Sequence, residues 1–305
     1  MPLFKTWLGT DVSVPTDYSD ADNWLSSGAA GIPAAGDWVN FLANLVSVTA
    51  GLNQSAIVLG NFNISDAYAG RIGTTGLAAG AYLRIASPLV DLHTPSGTNA
   101  TGSDLIKLDL GSSTAAAVTV HGSSRSVAES GLEPIRLIGT NAGNKLYMLN
   151  GTVGIATSVP GEVATFSEAN LRAGVLRCGE GVTLGTLLQD GGIANLYCGA
   201  TTITQNGGNL TTTGSGTVTT ANIQGNAVLN STGTITTMNV RDGGAVDLIQ
   251  NRAARTITTL NLYKGARIIG DTHVTVTNFR LIQCGMEDVD IQWGKHRAIT
   301  LAVGP

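Results

Sequence analysis

Acidic side chains are the first candidates for chemistry in this chain. The densest group is Glu287-Asp288-Val289-Asp290. Asp242 and Asp247 flank one turn, and Asp190 and Asp242 each precede a Gly-Gly pair. Cleaving a glycosidic bond takes two carboxylates facing each other across it, and a calcium site takes several oxygens converging on one loop. Here the acidic residues lack partners at matching positions in neighbouring repeats, and Asp before Gly-Gly is an ordinary turn residue. The histidines, His93, His121, His273 and His296, show no metal-ligand spacing and read as surface or loop residues. Ser124 and Ser126 sit in no nucleophile motif. The glycine-rich stretches lack the Gly-Lys-Ser/Thr ending of a phosphate loop, and the glycine-aspartate calcium repeat is absent. Three cysteines, Cys178, Cys198 and Cys284, give neither a zinc pattern nor a disulfide framework. Cys178 and Cys198 stand about one repeat apart, which places them on neighbouring rungs as free, buried thiols. A disulfide between rungs or a reactive thiol is the alternative. No catalytic, cofactor or metal residue is expected, and the chain reads as a non-enzyme.

The elements that would position such residues are clearer. Thr217-Val218-Thr219-Thr220-Ala221-Asn222-Ile223 recurs as Thr234-Ile235-Thr236-Thr237-Met238-Asn239-Val240 and as Thr256-Ile257-Thr258-Thr259-Leu260-Asn261-Leu262. It recurs once more, with drift, at Thr275-Val276-Thr277-Asn278-Phe279-Arg280-Leu281. The steps between these copies are 17, 22 and 19 residues. A repeat of that length, rich in β-branched residues and punctuated by Gly, predicts an all-β, right-handed parallel β-helix. Ile235, Met238 and Val240 are the expected inward positions, with a corner between Ile235 and Met238. Ile235, Ile257 and Val276 should share one internal column. Asn222, Asn239 and Asn261 share a phase and should form an internal or corner amide ladder. Upstream, Thr202 to Gly208 fits as another coil, Gln189-Asp190-Gly191-Gly192 echoes Arg241-Asp242-Gly243-Gly244, and Phe166 to Gly174 is the first clear rung.

The sequence divides into four segments. Residues 1–45 hold Trp7, Trp24 and Trp38 and read as an N-terminal cap that can also dock to a partner. Residues 46–165 carry short alternating strands, read as irregular coils or as a separate β-sandwich. Residues 166–285 are the regular β-helix. Residues 286–305, with a strand over Ala298 to Val303, form a closing cap or tail. Charged residues make up 12% of the chain and the net charge is −4, which gives no reason to expect a nucleic-acid partner. No apolar stretch reaches membrane-spanning length. Met1 to Trp7 lacks the apolar core of a signal peptide, so synthesis in a cytoplasm is expected.

Trp7-Leu8-Gly9, then Asn23-Trp24, then Pro33-Ala34-Ala35-Gly36-Asp37-Trp38-Val39 resemble the W-x-G, N-W and P-x-x-G-D-x-V segment that precedes the coils of bacterial and phage β-helix proteins. The repeats themselves are similar to those of phage-encoded virion β-solenoid proteins. The chain departs from that pattern at Trp38, where Asp or Thr is commoner. The resemblance implies a structural protein on a virus particle, capsid-decorating or tail-associated, assembled as a homo-oligomer, most simply a trimer. Its partners would be other virion proteins such as the major capsid protein. Trp7, Trp24 and Trp38 are the expected contact residues, because tryptophan is favoured at interface hot spots. A glycan-binding tail-spike or adhesin module, taking a surface glycan, is the alternative.

Overall fold

The computed structural model describes residues 1–26, 31–74, 81–93, 105–122 and 133–293. It is a β-solenoid of about 12 parallel turns with almost no helix. Two compact units, residues 1–167 and 168–305, are described separately. No helix among the described residues is long and apolar enough to cross a membrane.

The second unit contains the regular repeat. One sheet stacks Val182–Gln189, Ala200–Gln205, Val218–Ile223, Ile235–Val240, Arg255–Tyr263 and Val274–Ile282 in parallel. The opposing sheet stacks Val175–Cys178, Ile193–Leu196, Asn209–Thr212, Asn226–Leu229, Ala245–Asp247, Arg267–Gly270 and Asp290–Trp293, also in parallel. Ile235, Met238 and Val240 all point inward and are buried. The three-residue step between the first two is a bend within one strand, not the expected corner. Each successive coil carries its extra outward threonine at the same place, so the ladder closes up on both sides of it. Val218, Ile235, Ile257 and Val276 pair in register; Val276 is only half-buried because its strand is the last of that sheet among the described residues. Each fully buried aliphatic side chain in these columns contributes about 1.5–3 kcal/mol.

The amide ladder runs coil to coil, but on the outer face of the sheet. Asn239 donates to Asn222 Oδ1 at 2.8 Å and Asn261 donates to Asn239 Oδ1 at 2.7 Å. All three residues are half-buried, lying between inward neighbours. A second ladder is internal. Gln189 and Gln205, both fully buried, each donate to the carbonyl three residues on and to a carbonyl of the next coil: Gly192 and Asn209 for the first, Gly208 and Asn226 for the second. Gln189, Gln205, Ile223, Val240 and Leu262 form one internal column. In this register Asp190 falls beside Asn206, with the amide bonded to its carboxylate at 2.8 Å, and the column places it level with Arg241. The echo of Asp-Gly-Gly is therefore offset by one residue.

All the irregularity in repeat length lies in the corners. Ile223 and Asn226 are followed one coil later by Val240 and Ala245, and Val228 to Ile235 by Asp247 to Ile257. The longer corner after Asp247 is held by Arg255, which is buried. Its guanidinium donates to the carbonyls of Leu229 (2.5 Å), Ser231 (3.4 Å), Asn251 (3.2 Å) and Leu248. Burial pulls its pKa below the usual arginine value. The ladder also extends beyond residue 285: Asp290–Trp293 pairs with Arg267–Gly270, and the Trp293 ring lies over Gly270 where no Cβ would fit. The strand expected over Ala298 to Val303 lies outside the described residues.

In the first unit, the described residues between 46 and 165 form coils and not a β-sandwich. One sheet runs through Phe4–Trp7, Trp38–Phe41, Asn61–Ile64, Leu89–Leu92, Ala117–Val120 and Lys145–Met148, every pair parallel. The opposing sheet holds Asn53–Val58, Leu83–Ala86, Ile106–Asp109, Ile135–Ile138 and Thr152–Ile155, again in parallel. The coil step is longer here: Val90, Val118 and Leu146 are rung partners, a step of 28. Alternation predicted half-buried strands, yet Ile106–Asp109 and Ile135–Ile138 are buried on both faces. The longer coils lay chain over the outer face of this sheet, covering Lys107 and Arg136 completely.

Candidate functional site

The N-terminal segment explains its own motif. Phe4–Trp7 pairs antiparallel with Trp24–Ser26 and parallel with Trp38–Phe41. Trp7 and Trp24 are buried against each other with ring centroids 5.1 Å apart, and both pack on Tyr18 and Phe41. Their indole N–H groups are satisfied by the carbonyls of Val46 (3.1 Å) and Tyr18 (2.8 Å). Asn23 is fully buried; it donates to the carbonyls of Val14 and Asp17 and accepts from the Asp11 N–H. Asp37, also buried, accepts from the backbone of Leu3 and Ala34, and Gly36 supplies the left-handed turn before it at φ 83°. The N-W and P-x-x-G-D residues are thus chain staples.

Of the three tryptophans expected to touch a partner, Trp7 and Trp24 have no surface to offer, since aromatic packing and satisfied indoles hold them inside. Trp38 is different. It is 42% exposed and stands edge-on to Phe4, with centroids 5.2 Å apart. Phe4 pairs with Trp38, Trp38 with Asn61, and two strands on the exposed Leu89 faces the same way beside Ala117. This row is the outer face of the first sheet. Gly60 leaves room for the indole, since a Cβ there would lie 3.0 Å from it.

A groove of about 630 Å³ opens over the second sheet of the same unit, where Arg84, Asp109, Tyr82 and Glu162 stand among apolar residues such as Ile138 and Val163. Arg84 pairs with Asp109 at 2.7 Å. The Tyr82 hydroxyl donates to Glu162 at 2.8 Å and meets the Ser158 hydroxyl at 2.7 Å; the Glu162 carboxylate also accepts the Ser158 N–H. Arg136 donates to Ser158 Oγ at 2.9 Å. Burial raises the Tyr82 phenol well above its ordinary pKa. Each carboxylate in the groove is held by a cation or by hydrogen-bond donors, an arrangement that fixes shape.

The other acidic residues singled out in the sequence sit in similar local contacts. Asp288 accepts the Gly285 N–H at 2.9 Å and faces Lys264 at 3.3 Å, and these contacts, the backbone bond first, lower its pKa. Asp290 pairs with Arg267 at 3.1 Å, and Asp247 caps the turn at Ile249 and Gln250. Asp242 abuts Gly265 of the next coil. Cys178 and Cys198 are free and buried, and the rung partner of Cys178 is Leu196. The neighbouring Cys198 and burial push the Cys178 thiol up. Ser124, Ser126 and His296 lie outside the described residues.

One cluster was not visible in the sequence. His93 and His121 stack face to face, centroids 4.3 Å apart and planes 1° apart, and both approach Asp91. They are separated by one coil step of this unit, which spacing alone could show only once that step was known. His273 stands apart in a turn, its N–H bonded to Asp271. No protein-family profile, curated protein or solved structure matches the chain.

Proposed function

We propose that this is a non-enzymatic structural protein of a virus particle, a β-solenoid that works by shape and assembly. The observation that carries the reading is the exposed aromatic row on the outer face of the first sheet. Trp38 is a large indole left 42% exposed beside Phe4, in a unit that buries Trp7 and Trp24 fully. Aromatic side chains so placed are favoured anchors at protein interfaces. The resemblance of residues 1–45 and 166–285 to phage virion β-solenoids supplies the class of partner, another virion protein such as the major capsid protein, and a trimeric assembly. The Asn and Gln ladders support the reading by tying successive coils of the second unit to one another.

Replacing Trp38 with Ser should leave the fold intact, because the side chain is outside the core, and should weaken docking about 30-fold, as loss of a ~2 kcal/mol anchor does. Cosedimentation of the purified variant with assembled particles measures this. A variant that is folded and still binds at full occupancy sinks the docking role. The groove beside Arg84 and Asp109 gives a second reading, recognition of a surface glycan. Glycan-array binding that Arg84→Ala abolishes would favour it.

A further inference from the structure

We propose that Asp91, His93 and His121 form a binding site for a divalent first-row transition ion, of which Zn²⁺ is the natural probe. The three side chains come from two successive rungs, since Asp91 and Leu92 pair with Thr119 and Val120. His121 Nε2 lies 2.8 Å from Asp91 Oδ1, and His93 Nε2 lies 3.8 Å from Asp91 Oδ2. One ligand atom from each residue falls within 4.8 Å of the others. Ligand atoms bound at ordinary zinc distances sit about 2.9–3.4 Å apart, so the set is close to a coordination shell and slightly open.

The polar contacts themselves point to an ion. Asp91 Oδ1 is buried and accepts no hydrogen bond, although His121 Nε2 is at 2.8 Å. Either the imidazole proton sits on Nδ1, leaving two acceptors face to face, or the Nε2–H points away from the oxygen. A shared electrophile in front of both atoms would satisfy the pair. Two imidazole nitrogens with one carboxylate oxygen suit zinc, nickel, cobalt or copper, whereas magnesium and calcium take oxygen shells. The parallel rings must turn about their Cβ–Cγ bonds to converge on one ion. That torsion is soft for histidine, and the side chains are 36% and 35% exposed, which leaves room to turn. The remaining positions would hold water. Bound there, the ion clips one coil to the next on the sheet that also carries Trp38.

The test uses the full chain, free of any affinity tag and stripped with a chelator. Titration with Co²⁺ should give one equivalent of visible d–d absorption, displaced by Zn²⁺ and unaffected by Mg²⁺. His93→Asn and His121→Asn should each weaken binding at least tenfold, with circular dichroism unchanged in chelator. No visible band in the unmodified protein, or a band that survives the double variant, overturns the proposal. Ring NMR of the unmodified protein tests it without any variant. Zn²⁺ should move the signals of His93 and His121 and leave those of His273 in place; the reverse pattern, or no shift, also overturns it.

Discussion

The two units stack parallel coils by the same rules but with different coil lengths, and the difference separates regularity from chemistry. In residues 168–293 the coils are tight. Side chains repeat in columns, so Asn meets Asn, Gln meets Gln, and polar groups are consumed in ladders. In residues 1–167 the coil steps vary and include steps of 28, and the spare chain covers a sheet face, buries Lys107 and Arg136, and lines a groove. The Asp91, His93 and His121 cluster and the exposed Trp38 both belong to this unit. His93 over His121 is still a like-on-like step, but the spare chain of this unit adds contacts that the tight unit does not make.

Several substitutions would break or sharpen this contrast. The largest effect should come from Phe41→Ala, which removes a ring that touches Trp7, Trp24, Phe62 and Tyr68. A loss of about 4 kcal/mol in urea unfolding is expected. Arg255→Ala should cost about 3 kcal/mol, because it strands buried carbonyls at a corner of the tight unit; a loss below about 1 kcal/mol would show that water replaces the guanidinium there.

Alkali should act on the wide unit. Tyr18 and Tyr82 have phenol pKa values raised above the ordinary one, by burial in both cases. Folded values above the unfolded one mean that their stabilisation is complete below about pH 10 and declines as pH rises beyond it. Emission from Trp7 and Trp24, which pack on Tyr18, should report lower urea midpoints above pH 10. Midpoints that stay flat to pH 11.5 would refute the assignment. The smallest effect belongs to the internal Gln column. Gln205→Leu loses two donated bonds but also removes Gln205 Oε1, a buried acceptor with no partner, and the next coil already carries Ile223 at that place. A change within about 1 kcal/mol is expected.

What could be read from the sequence follows the same division. The T-[VI]-T-T-x-N repeat gave the strands, the inward positions and the Asn ladder, because tight coils keep one phase. The ladder's face was missed, since phase alone does not say which of two outward threonines precedes the bend. In residues 46–165 the strands were legible from alternation, but not their coiling, because variable loops hide a step of 28. The same long step hid the meeting of His93 with His121. Trp7 and Trp24 were read as contact residues from their type alone; only Tyr18, Phe41 and the carbonyls of Val46 and Tyr18 show why they are inside.

The confinement of length differences to corners makes the tight unit behave like a ruler with fixed graduations. Thr220 pairs with Thr237 and Ala221 with Met238. Excising residues 220–236 would join Thr219 to Thr237 and regenerate a complete Val-Thr-Thr-Met-Asn-Val strand on the rung below. Gln205 would then meet Val240 where it now meets Ile223. The shortened chain should fold and lose about 4.8 Å of height, one graduation. Removing one or two residues fewer or more would put the joined strand itself out of phase with its neighbours, a slip that only the next corner could take up, and should destabilise the chain. Along this axis, length can change only in whole turns.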